Sequence, residues 1–329
     1  MFDRGMKRKL LTTLTWNVLL VFPVVLLPTM ANADSEFYGS LHAFAGKVEG
    51  VSGINLNSYS SRLGLKGANK LSNNWVLSHK LELGFDSFND ALEGGGVRKL
   101  PSGVQIKNTN NNEIEVRNAW LGVKSQLGEF RVGRHVSIYD ILDDGQNLLS
   151  KVGHALPSSR ERTEQLLYVN KSGLMAYSLS YAPFENKSED RVVSGLFNYV
   201  KGSYYAGLGL EKSSGLSLGS KLALGYNKDG LNNDEYSLGL VYDKQIGSSA
   251  TSLSLSGLYR LGKIYAGVEF GKVLSGNILN QNNTIKFTKD TKNKALELGY
   301  QWNKNTKFYI DYSNLGERKE TSIAVKYDF

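Results

Sequence analysis

From residue 34 onward the chain alternates apolar side chains with small, polar or charged ones, in stretches of about ten residues. A period of two sends neighbouring side chains to opposite faces of a sheet. Leu216, Leu218, Leu222, Leu224 and Tyr226 fall on one face, and Ser217, Gly219, Lys221, Ala223 and Gly225 on the other. Tyr236, Leu238, Leu240 and Tyr242 oppose Glu235, Ser237, Gly239 and Asp243 in the same way. Leu296, Leu298, Tyr300 and Trp302 oppose Ala295, Glu297, Gly299 and Gln301. Phe308, Ile310 and Tyr312 oppose Lys307, Tyr309 and Asp311, and Ile323, Val325, Tyr327 and Phe329 oppose Ser322, Ala324, Lys326 and Asp328. No segment after residue 34 carries a helical period.

Alternation also suits a soluble sandwich, so three further features decide. The apolar faces end in Tyr, Trp or Phe, and such rings favour the headgroup zone of a bilayer. The stretches match the roughly 9–11 residues of a tilted membrane strand. The opposite faces are rich in Gly, Ser and charge, which leaves room for water inside a barrel. The pattern predicts an all-β fold, a transmembrane antiparallel β-barrel of about sixteen strands. Its strands fall at 36–48, 57–67, 74–87, 113–124, 129–135, 162–170, 173–182, 191–200, 203–212, 216–227, 234–245, 250–259, 261–272, 292–302, 305–313 and 318–329. The long connections, 88–112, 136–161 and 273–291, all follow odd-numbered strands, and the even-to-odd connections are mostly short, such as 126–128 and 171–172. That asymmetry of long outer loops and short periplasmic turns belongs to bacterial barrels.

Residues 1–33 read differently. Lys7, Arg8 and Lys9 precede an apolar run from Val18 to Leu27, and Ala31-Asn32-Ala33 suits leader-peptidase cleavage. We expect a cleaved signal peptide over 1–33, a barrel domain over 34–329 and the outer membrane as destination. The chain contains no cysteine, so disulfides and thiolate metal sites drop out. The formal charge of +8 includes +3 from residues 1–33, leaving +5 dispersed over the rest, without the basic face that nucleic-acid binding needs.

Four places resemble the general diffusion porins of Gram-negative bacteria, especially the neisserial-type branch. These are Phe37-Tyr38-Gly39, then Arg62-Leu63-Gly64-Leu65-Lys66-Gly67, then the pair Arg117-Asn118-Ala119-Trp120-Leu121-Gly122-Val123 and Leu127-Gly128-Glu129-Phe130-Arg131-Val132-Gly133-Arg134, and the closing Tyr327-Asp328-Phe329. The resemblance implies a 16-stranded homotrimer passing ions and small hydrophilic solutes. It also implies that Phe329 is read by the barrel-assembly machinery. In such porins the long third outer loop, here 136–161, folds into the lumen and narrows it. Tyr139-Asp140-Ile141-Leu142-Asp143-Asp144-Gly145 stands where the family's usual signature in that loop is absent.

A pore selects by its width and its rings of charge. Strand parity turns Arg62, Lys66, Lys80, Glu82, Asp86, Glu115, Arg117 and Arg131 inward, with Trp75, His79, Ile114, Val116 and Trp120 toward lipid. Arg134 has lipid parity but lies at the rim, where a bulge can redirect it. We therefore expect a basic wall of Arg62, Lys80, Arg117, Arg131 and Arg134, faced by Asp140, Asp143 and Asp144 on the loop.

Two other functions compete. A barrel enzyme, lipase or protease, needs a nucleophile or activated water with a base, and only a loose pairing of His154 with Asp143 or Asp144 offers one. A substrate-selective channel favours a line of lumen aromatics, and Tyr309 alone does not make one. The aspartates of the third loop lack the spacing of a calcium loop, and Gly94-Gly95-Gly96 precedes no helix, so it is no phosphate cradle. The sequence implies no cofactor and no metal.

Overall fold

The computed structural model describes residues 34–50, 52–58, 61–85, 97–99, 105–107, 114–144, 148–149, 162–183, 191–213, 216–227, 235–244, 250–279, 286–316 and 318–329. The expected signal peptide, Asp86 and His154 lie outside these. Sixteen long strands form the wall: β1 (Asp34–Val48), β2 (Ser61–Ser72), β3 (Trp75–Phe85), β4 (Ile114–Ser125), β5 (Gly128–Val136), β6 (Arg162–Ser172), β7 (Met175–Ala182), β8 (Val192–Lys201), β9 (Tyr204–Ser213), β10 (Gly219–Tyr226), β11 (Tyr236–Lys244), β12 (Thr251–Leu261), β13 (Ile264–Ser275), β14 (Lys292–Gln301), β15 (Thr306–Leu315) and β16 (Arg318–Asp328). Each pairs antiparallel with the next. β1 closes the ring by pairing with β2 through Asp34–Ser40 and with β16 through Ser40–Val48. A short strand, Asn55–Ser58, continues the β2 side of β1. Closure leaves no open edge, the condition for a sheet in hydrocarbon.

The outward parity is apolar and exposed. Leu179, Leu238, Leu255, Leu298, Ile310 and Ile323 all project from the wall, where a soluble protein would have to hide them. At the rim with the short turns, outward rings meet across neighbouring strands and, for Tyr300 and Trp302, along one strand end. Tyr204 and Tyr226 lie 5.2 Å apart, Tyr226 and Tyr236 5.2 Å, Phe130 and Tyr168 4.7 Å, and Tyr300 and Trp302 6.3 Å. Phe329 completes this girdle beside Phe37, tied to Gly39 by reciprocal backbone hydrogen bonds of 2.8 and 3.0 Å.

Two features depart from the simple alternation. The first is a bulge: Glu82 pairs with Asn118 and Leu83 with Val116, so Arg117 has no opposite residue. A bulge sends two successive side chains to one face and resets the parity beyond it. Trp120, expected toward lipid, pairs with Lys80 and points inward. There it stacks on His135 at 5.5 Å and lies beneath the Arg131 guanidinium at 4.3 Å. In bilayers of brominated lipid, we expect Trp75 and Trp302, examined as single-tryptophan variants, to be quenched while Trp120 is spared. Equal quenching of Trp120 would return it to the lipid face.

The second is a helix, α1 (Ile138–Asp144), in the third outer loop, where no helical period was expected. At seven residues it is too short to display one. Ile138 and Leu142 pack on Leu167, Leu196, Tyr205, Ala223 and Val241, all of inward parity. Just beyond, Leu149 packs with Ala295, and Leu148 joins Leu258, Tyr265, Tyr309 and Ala324. The described part of this loop therefore lies against the inner wall, first at the α1 contacts and then at β12–β16.

Candidate functional site: the charged inner wall

Three cations converge on one carboxylate. Glu82 of β3 sits 3.0 Å from Arg117, 3.4 Å from Lys80 and 3.9 Å from Arg62. The Tyr38 hydroxyl donates to the same carboxylate at 2.8 Å and the Asn118 amide at 3.2 Å. Register explains the convergence. Arg62 lies opposite Gly84, and Lys66 opposite Lys80, on adjacent strands. The bulge brings Arg117 and Asn118 together onto the inner face. Tyr38 lies flat over Gly64, where any Cβ would sit 2.3 Å from the ring, so only glycine leaves it room. Beside this hub, Arg131 pairs with Glu129 at 2.7 Å, and Lys66 with Glu36 at 3.1 Å. In the described ion pairs on the inner face of β1–β5, Arg62, Lys66, Lys80, Arg117 and Arg131 stand against Glu36, Glu82 and Glu129, a surplus of two positive charges.

Across β10–β16 the inner wall carries both signs, with Lys221, Arg260, Lys307 and Lys326 on the same parity as the carboxylates. Asp243, Glu269, Glu297 and Asp311 are inward and buried. Lys221 lies 3.6 Å from Asp243, and its ammonium is 4.3 Å from the Tyr139 ring of α1. Tyr139 donates to Asp243 at 2.7 Å, which fixes α1 to β11. Fixed charge of both signs on the inner wall keeps the lumen polar, which disfavours apolar solutes.

Of the residues expected in a basic wall, Arg62, Lys80 and Arg117 meet at Glu82, and Arg131 pairs with Glu129 beside them. Arg134 is corrected: it pairs with Ala119, whose own partner is Leu81, so it keeps the outward parity and reaches Glu164 at 3.8 Å. No register shift accompanies β5 there to redirect it. Asp140, Asp143 and Asp144 belong to α1, but their side chains lie outside the description, and so does that of Glu115. Sequence parity had already turned Glu82, Asp243, Glu297 and Asp311 inward, yet gave no sign that Glu82 is the hub, because the bulge that assembles it is silent in the alternation. Among the described residues no group of three or more metal-ligating side chains occurs.

A closed membrane barrel of this size, apolar outside and charged within, is a diffusion channel. The family model for Gram-negative porins matches residues 20–329, and the chain belongs to that family. It is an outer-membrane porin, passing ions and small hydrophilic solutes passively. Solved structures share the fold. The in-vitro folded trimer form of OmpT, an outer-membrane protein of Vibrio cholerae, is 16% identical with a TM-score of 0.62, covering 90% of this chain and 99% of its own. Salmonella typhi OmpF in complex with daunomycin is 14% identical, TM-score 0.65, over 90% and 97%. The anion-selective porin of Comamonas acidovorans is 16% identical, TM-score 0.63, over 91% and 100%. A search of curated protein sequences finds no match.

Proposed function

We propose that this porin is a general diffusion pore with a weak preference for anions, assembled as a homotrimer, and that it performs no catalysis. The observation that carries the reading is the surplus of cations around Glu82, since fixed charge beside a water path favours counter-ions. The third loop, held to the inner wall through α1, supplies the narrowing, and Asp140, Asp143 and Asp144 belong to that loop. Among the described residues the inward aromatics fall in separate groups, with Tyr38 and Trp120 by the basic hub, Tyr205 beneath α1, and Tyr265 packed with Tyr309 and Phe44, which favours general diffusion over a dedicated solute. Export removes residues 1–33, and the barrel-assembly machinery reads Phe329.

A planar-bilayer recording under a salt gradient tests pore and preference together. The expected result is a reversal potential of anion sign, with conductance appearing in groups of three equal steps. A clear cation preference rejects the charge reading. A heat-modifiable band at monomer mass before boiling rejects the trimer.

A further inference from the structure

Outward-facing charge is distributed unevenly between the two rims. At the short-turn rim the outward positions are mainly the aromatic girdle, with Lys201 opposite Tyr204 and Lys263 over the Tyr300 ring. At the long-loop rim, from β9 round to β1, they include a run of lysines. Lys212 ends β9 on the parity of Val193, and Lys244 ends β11 on that of Tyr242. Lys272 of β13 pairs with Lys292 of β14, and Lys294 pairs with Phe270, itself 47% exposed. Lys319 opens the outward side of β16 opposite Asn314, and Lys47 closes that of β1 opposite Thr321. This gives a collar running from β9 through β16 to β1. Only two of the seven have a described carboxylate partner, Lys272 with Asp290 at 2.9 Å and Lys319 with Glu49 at 2.8 Å.

The collar stops where the arc changes. On β4, β7 and β8 the same rim carries Ile114, Tyr181 and Val193, which are apolar or aromatic and exposed, with a single described cation, Arg191, just before β8. On β5 and β6 the one described pair, Arg134 with Glu164, neutralises itself. Lysine stems lie along apolar wall and carry the ammonium to headgroup level. The Lys212 ammonium donates to the Leu216 carbonyl. A row of ammonium groups at that depth, five of the seven without a described carboxylate, costs solvation and self-repulsion unless anions meet it. Zwitterionic headgroups, whose phosphate is already neutralised by their own ammonium, do not satisfy it, whereas headgroups with net negative phosphate charge do.

We propose that this collar, centred on Lys212, Lys272, Lys292 and Lys294, is a binding surface for net-anionic, phosphate-bearing lipid headgroups of the leaflet at the long-loop rim. It concerns the lipid face and is independent of the charge preference proposed for the lumen. The test uses the purified mature protein and counts phosphatidic acid retained per chain by native mass spectrometry, with phosphatidylcholine as the neutral control. The fourfold variant K212Q/K272Q/K292Q/K294Q should bind phosphatidic acid about tenfold more weakly. The corresponding fourfold arginine variant should bind it as the parent does. Both should retain the parent's heat-modifiable migration and single-channel conductance, so that a folding or pore defect is recognised separately. Undiminished phosphatidic acid binding by the glutamine variant overturns the proposal. Displacement of the lipid by inorganic phosphate at equal concentration also overturns it, because the site would then be one for free anion. Equal retention of phosphatidylcholine and phosphatidic acid by the parent does the same.

Discussion

Glu82→Gln will raise the anion-to-cation permeability ratio about threefold, read as a shift of reversal potential under a salt gradient. Arg62, Lys80 and Arg117 all stand within 3.9 Å of this one carboxylate. Removing its charge leaves three cations on the inner wall with nothing between them and the water path. A unit charge at roughly 6 Å in a water-like dielectric is worth about 0.7 kcal/mol, hence the threefold figure. Glutamine keeps an acceptor for Arg117 and Asn118, so the change is mainly electrostatic. Glu82→Ala goes further and strips the partner from Tyr38, Arg117 and Asn118 at once. Breaking a buried pair costs about 3–5 kcal/mol. Arg62 and Lys80 are 31% and 28% exposed, so water screens part of that. We expect a loss of about 2 kcal/mol in folding stability, read from urea titration of the heat-modifiable form. An unchanged reversal potential in Glu82→Gln would mean that the hub lies outside the conduction path.

Strand number, closure and facing were legible because each depends on a local rule repeated many times. Leu296, Leu298 and Tyr300 cannot turn inward without turning Ala295, Glu297 and Gly299 outward, so every pair of neighbours restates the same constraint. The resemblance motifs then fixed the family. What escaped depends on single events. One extra residue at Arg117 reverses the parity of Trp120, and no alternation rule signals a bulge placed between Val116 and Asn118. The same event assembles the carboxylate hub, since it turns both Arg117 and Asn118 toward Glu82. Arg134 illustrates the converse: its simple parity was right, and the redirection expected at the rim does not occur. α1 escaped because seven residues span only two helical turns, and because what holds it, Leu167, Leu196, Tyr205, Ala223 and Val241, comes from five different strands.

That non-local anchoring makes α1 the second place where a small change should have a large effect. Leu142 is wholly buried and reaches into a recess made by two glycines of β9. A Cβ at Gly207 would sit 2.4 Å from one Leu142 methyl, and one at Gly209 2.8 Å from the other. Leu142→Ala empties the recess and should cost about 3 kcal/mol of docking free energy, the usual range for a buried leucine. Gly209→Val fills the recess from the opposite side and should undock the helix by a comparable amount, through overpacking. Tyr139→Phe removes the hydrogen bond to Asp243 while keeping the ring beside Lys221, and should cost about 1 kcal/mol. In single-channel records we expect Leu142→Ala and Gly209→Val to convert steady open levels into frequent sub-state transitions, with Tyr139→Phe intermediate. The two stronger variants change opposite sides of one contact, so a shared phenotype identifies the contact and not a general loss of stability. Quiet channels in both, with unfolding shifted as expected, would show that helix docking and current are uncoupled.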